Sequence, residues 1–340
     1  MAPQNEGVSP DDVAAVQKCE KDYNRIRDEL SKVIVGQNDV IEQVLIAIFA
    51  KGHALLEGVP GLAKTLLISS LAQSLHLNFK RIQFTPDLMP SDITGTEVIQ
   101  ENLETKAREY KFLPGPLFTN LLLADEINRA PAKVQSALLE AMAERHVTVG
   151  DTTYNLPSPF LVLATQNPIE QEGTYNLPEA QLDRFMFKIK VEYPSADDEL
   201  KIMKRMGAGP EVARPKASAV IGPAELERVR KTVDDIIVED PVQRYIVDVV
   251  GATRRPDKAG LAALQPFIDF GASPRASIAL YQAARAHAFL KRRGYVSPED
   301  VKAIAPDVLR HRIILSYEAE AEGKTVEQIV RQILEHVQVP

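Results

Sequence analysis

The sequence has no tryptophan, a single cysteine and no long apolar run. One cysteine, Cys19, excludes an intramolecular disulfide and fits a reducing compartment. Residues 1–7 lack the basic-then-apolar pattern of a secretion signal. The most apolar early run, residues 40–50, contains Glu42 and Gln43 and is too short to span a bilayer. These absences predict a cytoplasmic protein without a membrane span.

An excess of positive charge is also missing. Lysine and arginine number 40 against 47 aspartate and glutamate, which gives a formal net charge of −7. A negative chain has no general electrostatic attraction to nucleic acid, so we expect no nucleic-acid partner. The short basic stretches at residues 291–293 and 310–312 are interpreted as solvated helix faces or contacts between subunits. A hydrophobic content of 45% over 340 residues is enough for two packed domains.

The stretch from Gly58 to Thr65 predicts a phosphate-binding loop. It follows a short apolar run and precedes an apolar-periodic segment, the strand–turn–helix order that such a loop requires. Unpaired N–H groups at a helix N-terminus bind anions, Lys64 adds positive charge for the β- and γ-phosphates, and the Thr65 hydroxyl is a ligand for Mg²⁺. The alternative is an ordinary Gly-Pro turn. The predicted nucleotide contacts here are Gly58, Val59, Pro60, Gly61, Leu62, Ala63, Lys64, Thr65 and Leu66.

Two features near this loop need separate expectations. Ala63 stands where the generic pattern has glycine. We expect its backbone to be helical already, so that the Cβ causes no strain although it narrows the space beside the phosphates. The earlier turn at Val35 and Gly36 is a candidate contact for the purine ring, and an ordinary core contact is the open alternative.

Two adjacent carboxylates, Asp125 and Glu126, end a continuous apolar run at residues 121–124. Such a run fits a buried parallel strand whose C-terminal end faces the ligand crevice. Because buried carboxylates need a counter-charge, we expect a cation there. Asp125 would hold Mg²⁺ through water, and Glu126 would orient or deprotonate the attacking water. The alternative is the solvated start of the helix at residues 131–144.

A further apolar strand, residues 160–165, leads to Asn167 and Pro168. An amide at a strand end beside the metal site is well placed to hydrogen-bond the attacking water or the γ-phosphate. Ordinary turn chemistry before a proline is the alternative for Asn167.

The order of elements predicts a doubly wound parallel sheet followed by helices. Apolar strands alternate with helices up to residue 195, and hairpins are inserted at residues 95–112, where an extended loop is the alternative, and at 146–156. We predict an α/β nucleotide-binding domain at 1–195, a helix and hinge at 196–223, and an all-helical domain at 224–340. In that domain we expect the helix from Pro298 to about Glu318 to be interrupted at Pro306. The nucleotide is expected in the cleft between the sheet and the helical domain.

The motifs at residues 58–65, 125–130, 164–168 and 182–185 together closely resemble MoxR-type AAA+ ATPases. The resemblance covers essentially the whole chain, and the Asp-Glu-Ile-Asn-Arg-Ala-Pro run beginning at Asp125 is its most specific part. It implies an AAA+ P-loop core with a five-stranded parallel sheet and β-hairpin insertions, followed by a small all-α lid. In that family alanine is common at the position of Ala63.

The resemblance also implies the roles of single residues. They are the Walker A pair Lys64 and Thr65, the Walker B pair Asp125 and Glu126, sensor 1 Asn167, the arginine finger Arg184 and sensor 2 Arg275. For Arg184 a structural ion pair with Asp183 or another carboxylate is the alternative. For Arg275 the alternative is a solvated arginine, although a cation in the first turn of a helix is unfavourable and suggests a facing anion.

The sequence therefore predicts an ATP- and Mg²⁺-dependent ATPase that remodels or matures a client protein, or inserts its metal cofactor. The resemblance implies a ring, usually a hexamer, with nucleotide between subunits, and a partner with a von Willebrand factor A-type domain. One alternative is a nucleotide-regulated scaffold with little turnover, against which Glu126 argues because a pure binder does not need that carboxylate. A nucleic-acid or chelatase-type motor is less favoured.

Overall fold

The computed structural model describes residues 10–101, 108–169, 175, 177–207 and 215–340. The α-helices in this part of the chain are α1 (Pro10–Val33), α2 (Asn38–Phe49), α3 (Lys64–Ser74), α4 (Pro90–Thr94), α5 (Ala132–Glu144), α6 (Glu179–Leu182), α7 (Ala196–Met206), α8 (Pro223–Asp234), α9 (Asp240–Arg254), α10 (Pro274–Leu290), α11 (Pro298–Leu309), α12 (Tyr317–Ala321) and α13 (Val326–His336). The strands are β1 (Ala54–Glu57), β2 (Phe79–Gln83), β3 (Gly95–Glu101), β4 (Arg108–Pro114), β5 (Leu121–Asp125), β6 (His146–Val149), β7 (Thr152–Asn155), β8 (Leu161–Gln166), β9 (Phe187–Lys190), β10 (Ile268–Phe270) and β11 (Ile314–Leu315). Short 3₁₀ helices cover Ile127–Arg129 and Ala262–Phe267.

The central sheet contains five strands in the order β2-β5-β8-β1-β9, and every pair is parallel. The carboxyl ends of β1, β5 and β8 therefore meet at one edge of the sheet, where a doubly wound fold binds its ligand. This confirms the predicted five-stranded parallel core.

The central strands are buried on both faces, which explains their continuous apolar sequence. Leu121 and Leu123 of β5 belong to the apolar core that also contains α2 and the C-terminal helices. Leu122 and Ala124 point to the other face, into the core formed with α5. Because successive side chains of a strand point to opposite faces of the sheet, β5 packs against helices on both sides.

Two antiparallel hairpins project from this core, as predicted. β3 pairs with β4 and β6 pairs with β7, while residues 102–107 of the first hairpin lie outside the described residues. The two hairpins contact each other through Phe112 and Tyr154, whose rings stack with centroids 3.9 Å apart.

The C-terminal region is helical from α8 to α13, with one short antiparallel pair, β10 and β11, that the sequence analysis did not anticipate. The predicted interruption at Pro306 is wrong, because α11 continues through it to Leu309. Proline within a helix costs roughly 3 kcal/mol. The neighbouring residues Ile304, Ala305 and Val308 are buried, and that packing offsets the cost.

The helical region packs against α2 and the β9 edge of the sheet. Phe49 of α2 meets Phe289 of α10 edge to face, with ring centroids 6.0 Å apart. Gln43 of α2 donates a hydrogen bond to Asp307 of α11 at 2.6 Å. These contacts hold the C-terminal end of α10 and the helix α11 against α2. Of the predicted hinge at 207–223, residues 208–214 lie outside the described residues.

Candidate active site

The loop between β1 and α3 has the open geometry of a phosphate-binding loop. Gly61 has φ +87°, and a Cβ built on it would meet no heavy atom within 4 Å. The loop therefore leaves space at the N-terminus of α3, where unpaired N–H groups favour an anion.

Ala63 contradicts the expectation made for it. Its φ of 55° and ψ of 22° are left-handed, and the helix begins only at Lys64. A Cβ in this conformation costs roughly 1–2 kcal/mol, which is the physical reason why the generic pattern has glycine here.

Lys64 lies across the loop that precedes it. Its Nζ donates to the carbonyl oxygens of Gly58 and Val59, the second at 3.1 Å. Burial lowers the pKa of Lys64, while the nearby carboxylates of Asp125 and Glu126 act in the opposite direction. The ammonium group is thus held at the loop by neutral carbonyls, and it forms no direct ion pair with any residue that the structure describes.

The two predicted metal ligands lie side by side. The Thr65 hydroxyl is 3.5 Å from Oδ2 of Asp125, and the Thr165 hydroxyl donates to Oδ1 at 2.5 Å. Within the described residues, no three His, Cys, Asp or Glu side chains come together as metal ligands. One hydroxyl and one carboxylate beside a phosphate loop fit Mg²⁺, which prefers oxygen ligands and keeps waters and substrate phosphates in its shell.

Arg81 of β2 was missed by the sequence analysis. Its Nε and Nη2 donate to Oδ2 of Asp125 at 3.0 and 2.7 Å. The parallel register places Gln83 of β2 opposite Asp125, so Arg81 lies two residues before that pair on the same face of the strand. The only signal in the sequence was a charged residue within a predicted strand.

Glu126 follows β5 in a left-handed conformation, with φ 56° and ψ 52°. Its N–H donates to the hydroxyl of Thr165 at 2.9 Å. Its carboxylate accepts hydrogen bonds from Gln83 at 2.6 Å and from Arg129 at 3.1 Å. A non-glycine residue in this conformation is held by its surroundings, which is common at catalytic positions. The proposed base is therefore positioned by three neighbours.

Asn167 lies directly after β8 and is buried. Its Oδ1 accepts a hydrogen bond from the N–H of Ile169 at 3.2 Å, so the turn chemistry considered as an alternative is present. The preceding residue, Gln166, accepts from the N–H of Gly58 at 3.2 Å. The start of the phosphate loop is therefore next to Asn167, and its role as a sensor stays a prediction.

The turn at Val35 and Gly36 is linked to the phosphate loop. The side chain of Gln37 donates to the carbonyl of Leu62 at 3.1 Å. Gly36 has φ +75°, and a Cβ there would come within 2.6 Å of a carboxylate oxygen of Asp198. The turn is thus beside the loop, and its contact with a purine stays a prediction.

Arg184 and Arg275 lie at the amino edge of the sheet, where the parallel strands begin, opposite the edge that carries the phosphate loop. Phe187 at the start of β9 pairs with Ala54 at the start of β1, and Arg184 precedes β9. The phosphate loop follows the other end of β1, roughly 13 Å further along the strand. The predicted cleft between the sheet and the helical domain therefore does not bring Arg275 to the loop of its own chain.

The two arginines share a cavity of about 280 Å³. Arg184 donates to the carbonyl of Leu139 at 2.7 Å, whereas Asp183 binds Arg312 at 2.7 Å and Ser273 at 2.8 Å. Arg275 is 56% exposed and lies 3.6 Å from Asp183. Most charged residues around the cavity are basic: Lys51, Arg145, Arg184, Arg275 and Arg312, with Asp183 as the acidic one. Arg312 is paired with Asp183 and Lys51 with Asp234, so the excess of positive charge at the cavity comes from Arg145, Arg184 and Arg275.

Comparison with known proteins matches two parts of the chain. Residues 53–187 match the family described as "ATPase family associated with various cellular activities (AAA)", and residues 261–333 match the "AAA lid domain".

None of the helices in the described part of the chain combines the length and apolar character that crossing a bilayer requires.

Full-length relatives agree with this match. "Chaperone MoxR1" of Mycobacterium tuberculosis is 48% identical over 92% of this chain and 81% of the relative. "Protein MoxR" of Methylorubrum extorquens is 32% identical over 93% of this chain and 94% of the relative. A crystal structure from Cytophaga hutchinsonii, named as a candidate ATPase, is 48% identical with a TM-score of 0.89, covering 96% of this chain and 97% of that one.

Proposed function

Because this chain belongs to the MoxR family of AAA+ ATPases, we propose that it hydrolyses Mg-ATP between neighbouring subunits of a ring and so remodels or matures a client protein. The observation that carries the catalytic part is the arrangement of Lys64, Thr65 and Asp125 around one open loop. The domain division at 1–195, 196–223 and 224–340 belongs to the same proposal.

Each residue at the carboxyl edge of the sheet has a separate task. The loop N–H groups and Lys64 hold the phosphates, while Thr65 and Asp125 hold Mg²⁺. Bound Mg²⁺ neutralises charge on the β- and γ-phosphate oxygens. Glu126, held by Gln83 and Arg129, orients or deprotonates the attacking water, and the amide of Asn167 hydrogen-bonds that water or the γ-phosphate.

Arg184 and Arg275 act on the nucleotide of the next subunit in this proposal. Their common position in a basic cavity at the amino edge supports this, because neither lies at the loop of its own chain. A finger supplied from a neighbour is worth roughly 10³-fold or more in rate. The site is then complete only when subunits assemble in a head-to-tail ring, for which a hexamer is proposed.

The client and partner are proposed from the family. The name "Chaperone MoxR1" supports a client protein, and a partner with a von Willebrand factor A-type domain follows from the family resemblance alone. Insertion of a metal cofactor into a client is a variant of this activity. The competing function is a nucleotide-regulated scaffold with little turnover, which the presence of Glu126 disfavours because a pure binder does not need that carboxylate.

The test is the Mg-ATPase rate per subunit as a function of protein concentration, with Glu126→Gln as the inactive control. We expect the rate per subunit to rise with concentration and the variant to be inactive. A rate that is measurable but independent of concentration would contradict hydrolysis between subunits. If the wild type hydrolyses no more ATP than the variant, with and without added partner, the nucleotide-regulated scaffold is favoured.

A further inference from the structure

The side chain of Arg81 already binds one carboxylate oxygen of Asp125. Arg81 donates two hydrogen bonds to Oδ2, at 3.0 Å from Nε and 2.7 Å from Nη2. Oδ2 is also the oxygen that lies 3.5 Å from the Thr65 hydroxyl. The guanidinium is therefore bound to the carboxylate oxygen that faces the other proposed Mg²⁺ ligand.

Burial explains why Asp125 needs this partner. The side chain of Asp125 is only 12% exposed, and an unpaired carboxylate there would be unfavourable. Lys64 does not serve as the partner, because its ammonium group is bound to the carbonyls of Gly58 and Val59. The Arg81 side chain is 47% exposed, so it can return to water at little cost.

We propose that Arg81 is the counter-cation of Asp125 in the nucleotide-free chain and leaves Oδ2 when Mg²⁺ arrives with the nucleotide. This rests on the proposed function, since it assigns Mg²⁺ to Thr65 and Asp125. Two cations at one carboxylate oxygen repel each other, so only one of them can use Oδ2 fully. Arg81 therefore competes with Mg²⁺ while it stabilises the empty site.

The test compares the thermal denaturation midpoint of wild type and Arg81→Gln in three conditions: EDTA alone, ADP with EDTA, and ADP with Mg²⁺. We expect the variant to melt roughly 2–4 °C lower in both EDTA conditions. With Mg-ADP the deficit should vanish, and the Mg²⁺ concentration for half-maximal stabilisation should fall roughly 3- to 10-fold. Arg81→Lys, which keeps the charge, should recover most of the midpoint in EDTA.

Arg244→Gln is the matched control. Arg244 pairs with Asp248 at 3.0 Å on the exposed surface of α9, away from the phosphate loop. Its loss should shift the midpoint equally in all three conditions and leave the Mg²⁺ dependence unchanged.

Other outcomes would overturn the proposal. A deficit of equal size in all three conditions would mean that Arg81 stays on Asp125 as a structural ion pair. No deficit in EDTA would mean that the pair contributes nothing to the empty site. Loss of the Mg-ADP response in Arg81→Gln alone would make Arg81 a nucleotide contact. If wild type itself does not respond to Mg-ADP, the proposed function fails instead.

Discussion

Two non-glycine residues with a left-handed backbone, Ala63 and Glu126, lie at the phosphate site of this protein. Six residues other than glycine have positive φ in the described part of the chain: Lys51, Ala63, His76, Glu126, Arg145 and Arg292. Four of them, Lys51, His76, Arg145 and Arg292, lie at the C-terminal ends of helices, where a left-handed residue is common. Ala63 and Glu126 precede helices at the phosphate site instead. Such residues cost roughly 1–3 kcal/mol each and persist where the surroundings hold them. Only the strain at Ala63 and Glu126 is consistent with geometry maintained for function.

The strain at Ala63 leads to a first prediction. Ala63→Gly should raise the free energy of unfolding of the nucleotide-free protein by about 0.5–1 kcal/mol, because glycine accepts φ +55° without a Cβ clash. Gly61→Ala, the matched change at φ +87°, should lower it by roughly 1–2 kcal/mol. Urea denaturation checks both. A destabilisation of about 1 kcal/mol by Ala63→Gly is the result expected of a residue inside a helix and would contradict the prediction.

His53 gives a prediction for pH dependence. It is buried, accepts a hydrogen bond from the N–H of Val162 at 2.9 Å and lies 3.3 Å from the carbonyl of Met142. Burial lowers the pKa of His53 from 6.5 to about 3. Between these pH values the unfolded chain binds the proton and the folded chain does not. The contribution of His53 to stability is therefore complete above pH 6.5 and falls by about 1.4 kcal/mol per pH unit below it.

His53→Gln keeps a donor and an acceptor but removes the titration. We expect its stability to fall less steeply than that of wild type between pH 6.5 and 5.5, measured by urea denaturation at each pH. His336→Gln on the exposed end of α13 serves as the control. Parallel losses in wild type and His53→Gln would show that other groups cause the acid dependence.

At the scale of helices and strands, the carboxylate of Asp183 links the C-terminal helical region to the segment that carries Arg184. Asp183 precedes β9 and accepts hydrogen bonds from Arg312 at 2.7 Å and from Ser273, the N-cap of α10, at 2.8 Å. Burial lowers the pKa of Arg312, and the hydrogen bond with Asp183 raises it. The first turn of α10, with Arg275, is thereby held beside Arg184.

Breaking this link should be costly. Asp183→Asn should lower the free energy of unfolding by about 2–3 kcal/mol, because it leaves the guanidinium of Arg312, 2% exposed, without a counter-charge. Arg275→Gln removes only the exposed 3.6 Å pair with the same carboxylate and should cost less than about 1 kcal/mol. Denaturation of the two variants side by side checks the difference. Equal losses would contradict the role given to Asp183.

Several elements were predictable because their signals are local. The central strands were recognised as continuous apolar runs, and the hairpin of β6 and β7 by its strand residues around a Gly-Asp turn. The exceptions have non-local causes. α11 continues through Pro306 because its neighbours are buried, and β10 pairs with β11 across more than forty residues of sequence.

For the whole molecule, the separation of the two edges of the sheet predicts complementation between defective subunits. Arg184→Ala retains Glu126 and lacks the proposed arginine finger, whereas Glu126→Gln retains the proposed finger and lacks the proposed base. Each variant alone should be nearly inactive. An equal mixture should recover up to about a quarter of the wild-type ATPase rate, because a random ring joins an intact Glu126 to an intact Arg184 at about one interface in four.

The control is a mixture of Glu126→Gln with Arg244→Ala. Arg244 lies at neither edge of the sheet, so the ATPase rate of this mixture should fall only because active subunits are diluted. If the mixture of Arg184→Ala and Glu126→Gln stays as inactive as its components while wild type hydrolyses ATP, Arg184 does not act across subunits.

The sequence by itself determined the parts of the site that lie within a few consecutive residues. Lys64 and Thr65 follow one strand, Asp125 and Glu126 end another, and their roles depend on local order and chemistry. Even so, the local backbone of Ala63 was predicted incorrectly, because the chain takes a left-handed turn before the helix.

Only the tertiary structure decided how distant residues combine. Strand order and register bring Arg81 onto Asp125, a pair separated by 44 positions in sequence. The parallel sheet puts Arg184 and the phosphate loop at opposite edges, and the packing of α10 places Arg275 with the former. No local pattern encodes these relations, because they depend on which strands become neighbours and on where the helices dock against the sheet.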